Sequence, residues 1–429
     1  GNNNTIQLLY NVRYNNTENL KRTLEYDSIS GTYSIIDPNY NKSLYNDFVT
    51  QTYSIAFNSV REHYDYTVGF NVMPSYTRSA NFIKGGGFNG NDSIVNNISG
   101  RMVYNFSPKI DFRYRFNSST NMRFEYRGTT KQPSVTQLDP TQNVTNPLNI
   151  REGNPDLLPS FTNRISFRFN NNKRATQRSL SANASFSFTT NEIINFTEYE
   201  DKTGIQTTRP VNENGSWNAS GDIMYNTPVG TSKKFKFNTR SSASYNNKIG
   251  FTKMKEGDSE RNIAMTTALT QNLGMSYNKN WFYGQLRANI RYSNTGYSIE
   301  GKETQTSYNY GLTYNTQIYL PQSWTFASDV DYRANRGLTT GYNKDEILWN
   351  ASLSKQFLSK KQATLRLQWN DILQQRLNIS RNVSSNYIED SEYNTLTSYF
   401  MLSFIYRFNT MDGKGRGNRG EKRNSRIEY

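Results

Sequence analysis

The sequence predicts an all-β protein, a transmembrane antiparallel β-barrel with about sixteen strands present. Three observations carry that prediction. Apolar and polar residues alternate with period two along many segments. The connections between those segments alternate short and long. The composition is aromatic but poor in aliphatics: 31 Tyr and 24 Phe among 429 residues, with only 34% hydrophobic residues, against roughly 45–50% in ordinary globular chains. A soluble globule of this length needs more aliphatic side chains to fill a core. Low hydrophobicity, here a mean hydropathy of -0.83, also marks disordered chains, but those are poor in aromatics. A single-walled sheet, wet on one side and in lipid on the other, accommodates both facts.

In chain order, the first strand lies near residues 6–14. Tyr53, Ile55 and Phe57 form the next row, followed by Tyr64, Tyr66, Val68, Phe70 and Val72. Ile110, Phe112, Tyr114 and Phe116 precede Met122, Phe124 and Tyr126. Ile165, Phe167 and Phe169 lead to Leu180, Ala182, Ala184, Phe186 and Phe188. Leu286, Ala288, Ile290 and Tyr292 form another row, and residues 308–320 repeat the pattern most clearly. Trp324, Phe326, Val330 and Tyr332 come next, then Leu365, Leu367 and Trp369 on the penultimate strand. Phe400, Leu402, Phe404, Tyr406 and Phe408 form the last. A tilted strand needs ~10 residues to cross a bilayer, and many of these segments reach that length. No apolar run reaches the ~18 residues of a membrane helix.

Short connections fall at 61–63, 117–121, 171–177, 279–280, 321–323 and 358–362, and long ones at 18–44, 74–100, 128–160, 200–214, 246–261, 293–306 and 374–394. Outer-membrane barrels sort loop lengths in this way, with tight periplasmic turns and long extracellular loops. That ordering sends the first strand upward and the last downward. Charges alternate with the aromatics: Arg113, Arg115, Arg123, Glu125, Arg127, Arg168, Arg287, Arg291 and Arg366 stand opposite the apolar set. An Arg at the bilayer midplane costs ~2–4 kcal/mol, so these are predicted to line a wet lumen. Backbone groups in lipid must all be paired, which requires closure. Pro108 sits within a strand and predicts a bulge or local break. Residues 1–409 are read as barrel, and 410–429, where Lys414, Arg416, Arg419, Lys422 and Arg423 are spaced by glycines, as a flexible basic periplasmic tail.

The chain has no cysteine and one histidine, His63. Disulfides, thiol chemistry and His-based metal sites are excluded, and His63, in a predicted periplasmic turn, reads as a turn residue. Lys84-Gly85-Gly86-Gly87 lacks the ending of a phosphate loop. Asn89, Asn91 and Asp92 lack the acidic ligands of a calcium loop. No cofactor or metal is expected, and no enzyme. The net charge is +15; a solvated interior and tail account for it, while anionic solutes or lipopolysaccharide are the sharper reading. Nucleic acid is not expected as a partner. The chain opens Gly1-Asn2-Asn3-Asn4 rather than with a leader, and is read as mature or truncated.

Two neighbouring stretches resemble TonB-dependent receptors. Tyr126-Arg127-Gly128, followed by Gln132-Pro133-Ser134 and Gln137-Leu138, resembles an aromatic–Arg pair ahead of Pro and Leu in that family. Glu152-Gly153-Asn154-Pro155-Asp156-Leu157-Leu158-Pro159 is similar to the family's Gly-Asn-Pro-(Asp/Asn)-Leu-x-Pro motif, which leads from an extracellular loop into the next strand. Trp369-Asn370-Asp371-Ile372-Leu373 and the aromatic final strand resemble the family's closing segments. The resemblance implies a Gram-negative outer-membrane barrel of about 22 strands, with a plug and the first strands missing here. It implies TonB-dependent capture of a scarce solute, such as a siderophore, oligosaccharide or peptide. Outer-membrane lipid, lipopolysaccharide, the TonB complex and a surface lipoprotein would be its partners. A passive porin or structural surface barrel is the first alternative, and a soluble all-β binding or adhesion protein the second.

Overall fold

The computed structural model describes residues 3–21, 24–36, 42–83, 93–138, 140, 142–143, 146, 148–200, 202–254, 259–339, 341–358, 361–377, 379–383 and 388–408. The chain opens with β1 (Asn3–Lys21), a small hairpin of β2 (Leu24–Asp27) and β3 (Thr32–Ile36), then β4 (Lys42–Val60). β5 (Tyr64–Ile83), β6 (Ser93–Asn117) and β7 (Thr120–Lys131) follow, then one helical turn, α1 (Val135–Leu138), and β8 (Asn149–Arg151). β9 (Ser160–Lys173) and β10 (Arg178–Thr190) precede a hairpin of β11 (Glu192–Tyr199) and β12 (Gln206–Glu213). β13 (Trp217–Val229), β14 (Phe235–Met254), β15 (Ser259–Lys279), β16 (Phe282–Tyr297), β17 (Gln305–Leu320) and β18 (Trp324–Arg336) continue the sheet. β19 (Asp345–Phe357), β20 (Ala363–Asn370), a hairpin of β21 (Ile379–Val383) and β22 (Ile388–Glu392), and β23 (Tyr399–Tyr406) complete it.

Sixteen of these strands form one antiparallel ladder in the order β1, β4, β5, β6, β7, β9, β10, β13, β14, β15, β16, β17, β18, β19, β20, β23. The whole sheet has 19 strands, because β8, β11 and β12 join at the long-loop end through the parallel pairings β8–β12 and β11–β14. The wall thus has the strand number expected from the alternation. Turns 230–234 and 337–344 complete the short–long parity, and the sequence reading had marked neither.

Two predicted loops are corrected. β5 runs to Ile83 and β6 starts at Ser93, while β14 runs to Met254 and β15 starts at Ser259. Most of 74–100 and 246–261 is therefore ladder. Above the lipid both faces meet water, so alternation fades while backbone pairing persists. At ~3.3 Å per residue, the 25 residues of β6 extend well beyond a ~25 Å apolar band. The predicted Gly-rich stretch at Lys84 with Asn89, Asn91 and Asp92, and the basic tail, lie outside the described residues.

Paired residues on neighbouring antiparallel strands share a face. One continuous row reads Phe112, Phe124, Phe167, Ala184, Gly221, Ala243, Leu269, Tyr292, Tyr308. The next residue along each strand gives Arg113, Arg123, Arg168, Asn183, Asp222, Ser242, Thr270, Arg291. Among the described residues no second sheet packs on either row; the other sheets there are two-stranded hairpins. Among the described residues only eight apolar side chains are buried, and four of them are alanine. The accessible surface is 28507 Å², whereas a compact soluble protein of 49.6 kDa exposes about 17,000 Å². Among the described residues there is no dry core between facing sheets, which the soluble alternative needs. The apolar face is also rimmed as a lipid-facing wall should be. At the short-turn end Phe235 and Tyr277 pack at 4.5 Å, Lys279 lies over Trp281 at 5.7 Å, and Lys355 lies over Trp324 at 4.9 Å.

The wall has a seam. β1 pairs only with β4 and β23 only with β20, and no register joins β1 to β23 among the described residues. Leu8 is 76% exposed and Phe404 64%, against 46% for the mid-wall Leu312. Since β1 and β23 run in opposite directions, they close either directly or through an even number of further strands.

Pro108 acts as predicted on one side only. The β5–β6 register passes through Phe70–Pro108 without a shift, but the β6–β7 ladder stops at Lys109–Arg127. Side chains take over from the missing amide. Thr130 Oγ1 donates to the Phe106 carbonyl at 2.9 Å and accepts from the Phe106 amide at 3.0 Å, and Ser107 Oγ donates to the Gly128 carbonyl at 2.8 Å. The proline ring then fits because residue 128 is glycine: a Cβ there would meet Phe161 Cζ at 2.5 Å and Pro108 Cδ at 2.8 Å. Gly128→Val is expected to cost about 1–3 kcal/mol, read as a lower urea midpoint of the refolded barrel. An unchanged midpoint would refute this account of the β6–β7 break.

Candidate functional site

The polar face surrounds a cavity of about 1360 Å³ along β7, β9, β10 and β13–β16. Of the predicted lumen residues, Arg123, Glu125, Arg127, Arg168 and Arg291 line it. Arg113 and Arg115 share that face one strand away, opposite Arg123 and Asn121. Arg287 stands opposite Thr313, and Arg366 opposite Ser354 and Ser403, away from the cavity. The register groups these residues along the face in a way that alternation in the sequence does not show. The sequence reading missed Lys131, Arg164, Asp222 and Arg240, which also line the cavity. Arg164 and Arg168 are an even number of residues apart on β9, and that parity was the available signal.

Ion pairs bind the wall's charges within and between neighbouring strands. Arg115 pairs with Asp65, and Arg123 with Asp111. Arg123 and Arg127 share Glu125, at 3.7 Å and 2.8 Å. On β18 Arg333 contacts Asp331 of its own strand and Glu346 of β19. His63 sits exposed in the 61–63 turn beside the Arg115–Asp65 pair, and its carbonyl accepts the Arg115 amide at 2.6 Å.

Above the cavity lies the loop that carries the family-like motif. It begins with the Pro133–Ser134 turn. Ser134 Oγ caps α1 by accepting the Gln137 amide at 3.3 Å, the Ser134 amide donates back to Gln137 Oε1 at 2.9 Å, and Leu138 on α1 is buried. Gly153 is buried, and Leu157 has no exposed surface. Asn154 stiffens the turn at Pro155, accepting the Asp156 amide on Oδ1 at 3.0 Å. Asn154 also holds two other segments: its amide donates to the Gln137 carbonyl at 2.6 Å and its Nδ2 to the Pro210 carbonyl at 3.1 Å. Asn212 on β12 donates to the Leu158 carbonyl at 2.9 Å and accepts the Leu158 amide at 2.7 Å. Arg101, on the polar face of β6, donates to the Leu157 carbonyl at 2.9 Å. Pro159 then delivers the chain into β9. The motif is thus a clamp that draws the 132–159 loop onto the β11–β12 hairpin and over the inner face. Arg127 stays below it in the cavity wall.

A second clamp uses the other motif. Asp371 is fully buried at the end of β20, and its carboxylate accepts the amides of Gln375 at 3.0 Å and Arg376 at 3.1 Å. Its own amide donates to Asn350 Oδ1 at 2.8 Å. Asp371→Ala removes the acceptor of two part-buried hydrogen bonds, at about 0.5–1.5 kcal/mol each. The expected result is faster amide exchange across 371–377 with the wall ladder unchanged, and equal exchange in both proteins would refute the clamp.

The register and the wet inner face define a membrane-spanning β-wall, the class of the outer-membrane barrels. The model of the "Outer membrane protein beta-barrel family" matches residues 2–278 and 257–406, and the chain belongs to that family. No curated protein matches the sequence. Two solved structures are similar at low level. The deltaS2 mutant of the TodX monoaromatic hydrocarbon channel has a TM-score of 0.22 and 8% identity, covering 94% of this chain and 90% of that one. The outer membrane transporter YddB from Escherichia coli has a TM-score of 0.20 and 10% identity, covering 92% and 80%. Likeness at that level carries no argument about function.

Proposed function

We propose that the chain is the lumen-forming wall of an outer-membrane receptor that takes up a scarce hydrophilic solute in a TonB-dependent way. The observation that carries this is the stacking of parts: a polar, charge-lined cavity of about 1360 Å³ beneath loops clamped inward over it. Such loops capture; such a cavity conducts. No covalent chemistry is required. The motif at Gly153–Pro159 supports the link to TonB-dependent receptors, since here it does what a receptor loop needs, anchoring a binding loop rigidly. On this reading the short turns face the periplasm and the long loops the exterior.

The test is growth on a limiting solute that the intact strain takes up through this protein. Deleting the TonB-encoding gene should abolish that uptake as fully as deleting this protein's gene. Uptake that survives loss of TonB would overturn the reading in favour of a passive pore.

A further inference from the structure

We propose that β6, β7 and β9 form an oxyanion-binding wall in the lumen, suited to a hydrophilic solute bearing several carboxylates or phosphates. The inference rests on the uptake reading and names the substrate class for it.

Two rows of cations cross these three neighbouring strands. Lys109, Arg127 and Arg164 make one row; Arg113, Arg123 and Arg168 make the other. Like charges directly opposite one another destabilise a sheet, and adjacent strands are only about 4.8 Å apart. The row between them supplies Asp111 and Glu125, and both are engaged by Arg123 and Arg127. Lys109, Arg113, Arg164 and Arg168 have no carboxylate within 4.0 Å among the described residues. Arg168 turns to a neutral partner, donating Nε to Asn183 Oδ1 at 3.0 Å.

Hydration of the lumen does not call for this excess. Elsewhere on the inner face Arg333 is paired with Asp331 and Glu346, and Arg240 lies 3.5 Å from Asp222. In the two cationic rows and the row between them, six cations face two acids. The two cationic rows lie about 13 Å apart along the strands, so one multivalent anion can touch both. Beside them the middle row continues as Ser166, Ser185, Ser220 and Ser244, all at the cavity. Those hydroxyls supply neutral donors along which an anion leaves the guanidinium cluster. Guanidinium is also the group that grips carboxylate and phosphate in two-point fashion.

The experiment uses the whole gene product, purified from outer membranes in detergent, and titrates it calorimetrically with tripolyphosphate and with citrate at low salt. The Arg113→Gln/Arg164→Gln/Arg168→Gln variant should bind both at least tenfold more weakly. The Arg174→Gln/Lys202→Gln/Lys233→Gln variant removes the same charge from exposed turns and should bind as the parent does. Should the triple variant lose its heat-dependent gel shift, Arg164→Gln alone is used, with at least threefold weaker binding expected. No binding by the parent protein, meaning that another part of it already neutralises the wall, overturns the inference. So does an equal loss in the two charge-matched variants. TonB-independent uptake with anion binding intact would sink the transport reading alone; TonB-dependent uptake with anion binding unaffected by the arginine changes would sink this one alone.

Discussion

Leu312→Arg is expected to lower the unfolding free energy of the barrel in lipid by about 2–4 kcal/mol, while Thr313→Arg, one residue further on, changes it by less than about 1 kcal/mol. The two side chains point to opposite faces of β17. Leu312 is paired with Ala288 and Tyr332, in a row of apolar neighbours. It lies six residues above Ile318, which is about 20 Å along the strand and, at a tilt near 40°, about 15 Å in depth. That places it near the middle of the apolar band, where a guanidinium reaches neither interface. Thr313 is paired with Arg287 and Asp331, and its hydroxyl donates to Asp331 Oδ1 at 2.9 Å. An arginine there meets water and a carboxylate. Urea unfolding of the refolded variants in lipid vesicles measures both. Equal losses would mean that the two faces of the wall are not lipid and water, and the membrane reading would fall with them.

The same alternation decides how much was legible in the sequence. Strands such as β17, with Tyr308, Tyr310, Leu312 and Tyr314 on one face, read plainly because lipid on one side enforces apolar residues. β14 does not read so well. Its apolar face carries Thr239, Ser241 and Ala243 between Phe237 and Tyr245, and Ser241 donates to Gln271 on β15 at 2.5 Å. Small and weakly polar residues that satisfy one another across the ladder are tolerated in the wall but erase the period. The upper halves of β5, β6, β14 and β15 vanish from the pattern for a different reason: both faces are wet there. The clamps show the third limit. Gly153-Asn154-Pro155 announces a rigid turn, yet its partners Arg101, Pro210 and Asn212 lie more than 50 residues away, and no local spacing marks them. Arg164 shows the fourth. It is one arginine among many until register sets it opposite Arg127.

The second large effect is expected at the long-loop end, in the β21–β22 hairpin. Asp390→Ala should undock that hairpin from the 337–344 loop. Arg381 and Asp390 face each other across the hairpin, with Arg381 Nε and Nη2 each donating to the carboxylate at 2.6 Å. Both side chains are buried, at 9% and 5% exposure. Arg381 Nη1 also donates to the Gly337 carbonyl at 2.6 Å, and the Thr339 amide donates to Asp390 Oδ2 at 3.1 Å. Lys344 and Glu392 add a pair at 2.9 Å. Gly337 is itself pressed against the start of β17: at its φ of +78° a Cβ would collide with the Thr306 carbonyl. The hairpin, the 337–344 loop and β17 thus form one chain of contacts. Removing one partner of a buried ion pair leaves an unpaired charge and costs about 3–5 kcal/mol, so amide exchange in 379–392 should rise at least 100-fold. Arg381→Met/Asp390→Leu removes both charges and should cost far less, since apolar replacement of a buried pair is often neutral. The pH dependence follows from the same geometry. The Arg381 guanidinium holds the Asp390 carboxyl well below the ordinary carboxylate range, against the opposing effect of desolvation. A lowered folded-state pKa stabilises above the unfolded value, about 3.9, and that stabilisation fades only as the pH falls below it. Docking should therefore be flat from neutral pH to about pH 5 and weaken only in stronger acid. Hairpin exchange that rises steeply between pH 7 and 5, or that Asp390→Ala leaves unaltered, would show that some other contact holds the loop.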